Sequence, residues 1–323
     1  MTPVRLLFLR GALPFLVAAS ACSSDSFTAA TDGGGDASAD AASEATSDGA
    51  VGACDLDKPF GAPTPVAGLS DPSIFEGDAR LSPDELTVFF ERPTAGDAGV
   101  GGSDLWVATR ASRTDPFGPS TLLPGLNTAE AEAHASPSDD LKTLFYSAVR
   151  APAKIHIYVA TRQTTAASFT GSTLVTGLGD PSWAYSTPFL DDARQELYFD
   201  RLAPTLNDEI YRVPLTGAGV GTPVAIAEIN SLTANDLSPV VTRDGLRIFW
   251  ASNRADLGAK GDYDIWTATR TSPTGPFGAV SNVAELDTVK LESPSWVSPD
   301  GCRLYFSSNR SGNQDVYVAE RPK

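Results

Sequence analysis

A unit of about 50 residues recurs along this chain, and a repeat of this length restricts the fold to a few architectures. Its clearest copy runs from Glu292 to Arg321, where the turn Ser-Pro-Asp-Gly precedes the strand Arg303–Phe306. A polar loop then leads to a further strand, Asp315–Val318. The strand after the turn carries a pair of large apolar residues five times, at spacings of 51 to 56 residues: Phe89-Phe90, Phe145-Tyr146, Tyr198-Phe199, Phe249-Trp250 and Tyr305-Phe306.

The next strand in each repeat has a pattern of its own. It recurs as Asp104-Leu105-Trp106, His156-Ile157-Tyr158, Glu209-Ile210-Tyr211, Asp264-Ile265-Trp266 and Asp315-Val316-Tyr317. A Pro-Phe-Gly segment, or a degenerate form of it, predicts the start of a fourth strand. Four short strands in each of five repeats predict an all-β fold, a five-bladed β-propeller with four antiparallel strands per blade. Blades packed on both faces explain near-continuous apolar runs such as Leu-Tyr-Phe.

The two ends of the repeat region complement each other. Residues 59–70 resemble a fourth strand with nothing before it, and the last repeat stops after its third strand at Arg321. We therefore predict a propeller over residues 53–323 that is closed by an N-terminal strand, residues 59–70, paired with the strand at 315–320.

The repeat resembles a known family. Residues 294–317 read Pro-x-Trp, Ser-Pro-Asp-Gly-x-x-Leu-Tyr-Phe-x-Ser-Asn-Arg and Asp-Val-Tyr, and residues 239–266 follow the same pattern. This motif resembles the WD40-like propeller repeat of TolB and of many periplasmic or surface proteins. TolB has six blades and a preceding α/β domain, whereas this chain shows five repeats. The resemblance therefore implies the fold and does not carry over TolB's partnership with the Tol–Pal machinery.

The N-terminus indicates export. Residues 1–21 combine two arginines, an apolar stretch and small residues, as a signal peptide does. Ala19-Ser20-Ala21-Cys22 resembles the lipobox of bacterial lipoproteins, so we expect a lipid on Cys22; ordinary cleavage after Ala21 is the alternative. Residues 22–52 are of low complexity and predict a disordered tether. The resulting expectation is an outer-membrane lipoprotein, facing the periplasm or the exterior, that meets the membrane through its lipid alone.

Cysteine usage agrees with this location. With Cys22 acylated, Cys54 and Cys302 remain as an even pair in an oxidising compartment. Cys54 precedes the closing strand and Cys302 follows a turn of the last blade, and both places fall on one face of a propeller. We predict a disulfide that closes the ring; two free thiols are the alternative.

Charge and motifs exclude several functions. The chain has 24 basic and 40 acidic residues, a net charge of -16, which disfavours nucleic acid binding. It lacks Gly-x-Ser-x-Gly, a phosphate-binding loop, His-Glu-x-x-His and Cys-x-x-Cys. We therefore assign no catalytic residue, no metal site and no cofactor from motifs, and we expect a monomer.

One position at the start of each inner strand is acidic in four of five blades. The five residues are Glu76, Glu132, Tyr185, Asp236 and Glu292. One interpretation is an acidic ring at the channel mouth that binds a cation such as Ca²⁺, or a sugar. The alternative is structural, because an arginine also follows each second strand: Arg92, Arg150, Arg201, Arg254 and Arg310. An acid–arginine–acid network within each blade, with the acid that opens the third strand, would explain these recurrences.

Departures from the repeat are further candidates. Trp183 and Tyr185 in blade three form either a stacking platform for a sugar or peptide, or a packed rim. His134 lies near Glu132 and suggests a metal or acid–base site, although two His residues in the whole chain are few for a metal centre. The candidate ligand-binding residues at the channel mouth are Glu132, His134, Trp183, Tyr185 and Asp236.

These observations favour a lipid-anchored, non-enzymatic binding or scaffold module for an envelope or extracellular protein or glycan. The alternative is an enzyme similar to the five-bladed glycosidases, whose inner-strand carboxylates flank the scissile bond in pairs. Four residues could supply such a pair: Asp78, Glu132, Asp236 and Glu292. A structural envelope protein without a small ligand is a third interpretation.

Overall fold

The computed structural model describes residues 54–71, 73–93, 102–150, 154–202, 207–217, 219–255 and 258–323. The predicted signal peptide, residues 1–21, and the predicted tether, residues 22–52 with Cys22, lie outside the described residues. In the described part of the chain, no helix has the length and apolar character needed to cross a membrane.

The strands of these residues form five antiparallel sheets, each of which is one blade. Strand β1 (Thr64–Pro65) comes first in the chain but belongs to blade five. Blade one contains β2 (Gly77–Leu81), β3 (Thr87–Pro93), β4 (Ser103–Thr109) and β5 (Thr121–Leu122). Blade two contains β6 (Glu132–Pro137), β7 (Thr143–Arg150), β8 (Lys154–Thr161) and β9 (Thr170–Leu174).

The remaining blades follow the same order from the inner to the outer strand. Blade three contains β10 (Ala184–Asp191), β11 (Glu196–Leu202), β12 (Asp208–Thr216), β13 (Gly219–Val220) and β14 (Val224–Ala225). Blade four contains β15 (Asp236–Val241), β16 (Arg247–Ser252), β17 (Asp264–Thr269) and β18 (Gly278–Asn282). Blade five contains β19 (Glu292–Val297), β20 (Arg303–Ser308) and β21 (Asp315–Glu320), with β1 outermost.

The predicted closure is confirmed. Strand β1 pairs antiparallel with β21, with Thr64 opposite Val318 and Pro65 opposite Tyr317. The paired segment is shorter than the predicted residues 59–70, and isolated backbone bonds such as Gly61 N–H to Glu320 O (2.7 Å) extend it. The predicted disulfide between Cys54 and Cys302 is also present.

Packing between blades forms the core. Each inner strand contacts the inner strands of both neighbouring blades, so that β2, β6, β10, β15 and β19 form a closed ring. The aromatic pairs of the second strands are buried in this packing, as Phe249 and Trp250 illustrate. At the seam of blades one and two, the rings of Phe89 and Phe169 meet edge-on at 6.5 Å. Burial of both blade faces thus accounts for the apolar runs in the sequence.

A β-bulge interrupts every inner strand at the same place. In four blades its first residue has a left-handed φ: Asp78 (47°), His134 (54°), Thr187 (44°) and Ser238 (54°). Blade five has Pro294 there, and a proline ring holds φ negative. A bulge re-aims a side chain out of the regular alternation of a strand. In every blade, the bulge therefore changes the direction of one side chain of the inner strand, at the same position along that strand.

Candidate functional site

The acids at the start of the inner strands are bonded to arginine. Each pairs with an arginine at the end of the second strand of its own blade or just beyond it: Glu76 with Arg92 (2.9 Å), Glu132 with Arg150, Asp236 with Arg254, and Glu292 with Arg310 (3.3 Å). All four acids have no exposed surface. Burial raises the pKa of Glu76 to about 7, although Arg92 and the Asp71 amide act in the opposite direction.

Loop groups engage these carboxylates further. Glu292 accepts hydrogen bonds from Thr288 N–H (3.0 Å), Thr288 Oγ1 (2.7 Å) and Ser308 Oγ (2.8 Å). Glu132 accepts the corresponding pair from Thr128, both at 2.8 Å. Carboxylates that are saturated in this way join the loop before each inner strand to the rest of the blade. Glu132 and Asp236 of the candidate site are therefore held inside their blades and do not open onto a channel.

Two of the third-strand acids have partners other than arginine. Asp264 accepts the backbone N–H groups of Lys260 (2.7 Å) and Gly261, and Asp315 accepts Ser311 Oγ at 2.6 Å. An arginine reaches such an acid in blade three, where Arg201 binds Glu209 at 2.6 Å. In the described residues, the arginine of each blade is thus paired with one acid. In blade three this acid is Glu209 of the third strand, and in the other blades it is the acid at the start of the inner strand.

Tyr185 explains this change. Its ring occupies the place of the inner-strand acid, and its hydroxyl donates to Asp180 O at 2.9 Å. Gly179 leaves room for the hydroxyl, because a Cβ there would lie 2.5 Å from the tyrosine oxygen. The ring is 3% exposed and stacks on His156, with 5.9 Å between the centroids. Tyr185 is therefore a buried packing residue in this structure.

Trp183, in contrast, is half-buried at the face where the inner strands begin. The guanidinium of Arg201 lies 4.2 Å from the Trp183 ring centroid and 4.1 Å from that of Tyr211. Trp183 and Tyr185 do not share one platform, since the second ring is inside the blade. The structure instead assembles Trp183, Arg201 and Tyr211 into a stack, which we call the blade-three stack.

His134 and Asp78 meet between blades one and two. His134 Nε2 lies 3.3 Å from Asp78 Oδ2, and both residues begin the bulges of their inner strands. Glu91 on β3 completes a cluster in which one ligand atom of each residue lies within 4.8 Å of the others. Burial raises the pKa of Glu91 to about 7, with His134 acting to lower it and Asp78 to raise it. The neighbour of His134 is therefore Asp78, and not Glu132 as the sequence spacing suggested.

Sequence analysis missed Glu91, although a signal was present. The residue directly follows the aromatic pair of the second strand, a place otherwise held by Ser147, Asp200, Ala251 and Ser307. Because serine and alanine also occur at this position, the fold does not require an acid there, and a glutamate indicates a role specific to blade one. Only the structure shows that this position faces the bulge of the next blade.

A second acidic cluster, formed by Asp264, Asp287 and Glu292, lies in blade four and at its border with blade five. Asp287 occupies a position at which blades one and three carry asparagine. There Asn127 bonds both Leu105 N–H (2.9 Å) and Leu105 O (3.0 Å), and Asn230 bonds Ile210 in the same way.

Asp287 makes weaker hydrogen bonds at this position than the asparagines do. It accepts Ile265 N–H at 3.4 Å, and its Oδ2 has no hydrogen-bond partner among the described residues. Burial, followed by the charge of Asp264, raises its pKa to about 7. The carboxylate therefore destabilises the fold when it is ionised.

We expect Asp287→Asn to stabilise the propeller by about 1–2 kcal/mol at pH 8, because the new amide can bond like Asn127 and carries no buried charge. The folded-state pKa of Asp287 lies above the ordinary aspartate value of about 3.9, so the cost of ionising Asp287 develops between about pH 4 and about pH 7. Urea denaturation should show the larger gain at pH 8 and a smaller one at about pH 4.5. Asp262→Asn, at an exposed site, should leave the free energy of unfolding unchanged at both pH values. An equal gain at both pH values would contradict the electrostatic cause.

Comparisons with known proteins agree with the propeller. No protein-family model matches the chain, and no curated protein matches its sequence. A thermostable family-43 glycoside hydrolase is similar in structure, with a TM-score of 0.52, 15% identity, and coverage of 80% of this chain and 91% of that chain. The endo-arabinase from Bacteroides thetaiotaomicron VPI-5482 gives a TM-score of 0.51, 15% identity, and coverage of 79% and 96%.

TolB from Acinetobacter baumannii is also among the similar structures, with a TM-score of 0.44, 14% identity, and coverage of 76% of this chain and 55% of that chain. At these identities the likenesses concern the fold, so the functions of these proteins do not transfer with it.

Proposed function

We propose that this protein is a non-enzymatic binding module, held outside the cytoplasm by a lipid on Cys22, that recognises an envelope or extracellular protein or glycan. The blade-three stack carries the proposal. Trp183 is half-buried, and its ring is fixed by Arg201, which Glu209 holds at 2.6 Å. Tryptophan, tyrosine and arginine held rigidly at a surface are the residue types that dominate binding energy at interfaces.

Large aliphatic side chains are exposed near the same end of the blades. Leu202 directly follows Arg201 and is 44% exposed, and Leu232 is 96% exposed. The two are linked through the start of β12, since Leu202 pairs with Asp208 and Asn207 Nδ2 bonds Leu232 O at 3.2 Å. Apolar residues gathered beside a stacked arginine favour contact with a partner over contact with water alone.

The proposed location rests on separate observations. The sequence Ala19-Ser20-Ala21-Cys22 supports lipidation, and the bond between Cys54 and Cys302 is of a kind that persists in oxidising compartments. Both support an exported protein. Globomycin treatment, which blocks lipoprotein signal cleavage, should cause the unprocessed precursor to accumulate if Cys22 is lipidated.

Binding can be tested with the full chain immobilised in detergent. Envelope extracts and a panel of polysaccharides are passed over wild type, Trp183→Ala and Leu232→Ser. We expect one partner class whose affinity falls about tenfold or more in both variants. Leu174→Ser is the matched control, because Leu174 is 45% exposed and lies on the outermost strand of blade two, outside the stack. Equal retention by all four proteins would contradict the proposal.

A glycosidase is the second candidate, and one observation keeps it open. Of the four inner-strand acids considered, Asp78 has no ion pair with an arginine among the described residues, and Glu91 approaches it in the interior. Turnover of aryl-glycosides that disappears in Asp78→Asn, with folding intact, would establish the enzyme and displace the binding module. We expect no turnover, because the other three acids are bonded to arginine.

A further inference from the structure

We propose that Asp78, Glu91 and His134 bind one divalent transition-metal ion of the zinc type between blades one and two. This inference does not depend on the proposed function. The three side chains offer two carboxylate oxygens and one imidazole nitrogen, all within 4.8 Å of one another. Two ligand atoms about 2.1 Å from a tetrahedral zinc ion lie about 3.4 Å apart. The separation of 3.3 Å between His134 Nε2 and Asp78 Oδ2 fits that geometry.

The scaffold of the propeller does not require these residue types. Side chains on the second strands accept the backbone N–H of the bulge residue in the next blade. Ser307 Oγ accepts Asp78 N–H at 2.9 Å, and Ser147 Oγ accepts Thr187 N–H at 3.2 Å. The last seam has no such bond, because Pro294 has no N–H and Ala251 has no side-chain acceptor. At the seam of blades three and four, Asp200 accepts Ser238 N–H, and its carboxylate also accepts Thr187 Oγ1. A serine, or no polar group at all, is nevertheless sufficient for this contact at the other three seams.

Glu91 offers more acceptor atoms than the contact with the next blade needs. Its carboxylate accepts the His134 N–H, which is the task that Ser147 and Ser307 perform elsewhere. Its Oε2 is buried and has no hydrogen-bond partner among the described residues, although the residue is only 7% exposed. An unpaired buried carboxylate oxygen is costly unless something binds it. This oxygen belongs to the same carboxylate that approaches Asp78 and His134.

Charge in the surrounding interior favours a cation. The buried Asp200 is a further acid near the cluster, since the charges of His134 and Asp78 both act on it. The opposing cation is Arg80, which is buried beside Asp78 with its guanidinium over the Phe189 ring at 5.0 Å. Among the described residues, three acids (Asp78, Glu91 and Asp200) thus face one arginine and one histidine, which leaves the cluster short of positive charge.

The donor set indicates the class of metal. Calcium and magnesium prefer sites made entirely of oxygen, whereas an imidazole nitrogen favours zinc and its neighbours. Three protein ligands leave at least one coordination position for water or for a ligand group. The side chain of His134 is 20% exposed and that of Asp78 is 11% exposed, so small molecules can reach the site.

The test uses variants that the repeat itself supplies. Glu91→Ser places the residue of blades two and five at this position, and His134→Thr places the residue of blade three. Glu130→Ser is the matched control, because it removes one acid from an exposed position. The full chain, purified in detergent and stripped with a chelator, is titrated with zinc chloride and separately with calcium chloride by calorimetry.

We expect one tight zinc site in wild type and in Glu130→Ser, and a loss of affinity of at least about tenfold in the other two variants. Circular dichroism should show wild-type folding in all of them; if Glu91→Ser does not fold, His134→Thr decides the outcome. Zinc binding that is unaffected by Glu91→Ser and His134→Thr would overturn the proposal. So would the absence of a stoichiometric zinc site in folded wild type, or tighter binding of calcium than of zinc.

Discussion

Replacing Glu132 with alanine is expected to destabilise the propeller by about 3 kcal/mol or more, because it leaves Arg150 without its carboxylate. Glu132 is completely buried and binds Arg150 and two donor groups of Thr128. Its loss therefore removes the connection between the loop before β6 and strand β7. Denaturation in guanidinium chloride, followed by tryptophan fluorescence, measures the change in the free energy of unfolding.

Glu130→Ala is the matched control, since Glu130 lies two residues away and is exposed. Its effect should stay within about 0.5 kcal/mol. Glu132→Gln should fall between the two, because the amide oxygen still accepts from Thr128 while the ion pair is lost. A Glu132→Ala protein with wild-type stability and lost binding or turnover would instead make this residue part of a functional site.

Recurrence made the architecture predictable. The aromatic pairs of the second strands had to be buried on both faces, and only blades packed around a ring bury five such strands equally. The incomplete last repeat and the isolated segment before Asp71 fixed the closure in the same way. Repetition also indicated the acid–arginine pairs, because one acid–arginine–acid network was expected to explain three recurring positions, and its acid–arginine part is present in the structure.

Features that occur in only one blade were harder to predict from the sequence, because the repeat pattern does not describe them. The sequence left Tyr185 open to two interpretations, a stacking platform or a packed rim, and only the structure shows that Gly179 creates the space that buries its ring. Glu91 was overlooked because its strand reads as a hydrophobic run. The bulge that brings Asp78 close to His134 contains no glycine at the residue with a left-handed φ. In four blades a non-glycine residue adopts this φ, which the sequence alone does not reveal.

Removal of the disulfide is the second change with a large expected effect. The double variant Cys54→Ser with Cys302→Ser should lose about 2–5 kcal/mol of stability. The bond joins residues separated by 248 positions, so it restricts nearly the whole unfolded propeller. It also ties down a closing strand whose ladder contains only the pairs of Thr64 and Pro65. Strands β5, β13 and β14 are equally short, but each belongs to the blade that directly precedes it in the chain, whereas β1 joins the two ends of the propeller. Ring closure is therefore where the fold has least redundancy.

Equilibrium denaturation of the double variant and of wild type, each with and without a reducing agent, separates the bond from the substitutions. Reduced wild type should match the double variant, and the reductant should leave the double variant unchanged. Hydrogen exchange should locate the loss, with the backbone N–H of Gly61 and Val66, which bond to β21, exchanging faster than those of β11. If the double variant unfolds at the wild-type midpoint, β1 and the packing of blade five against blade one close the ring without the covalent bond.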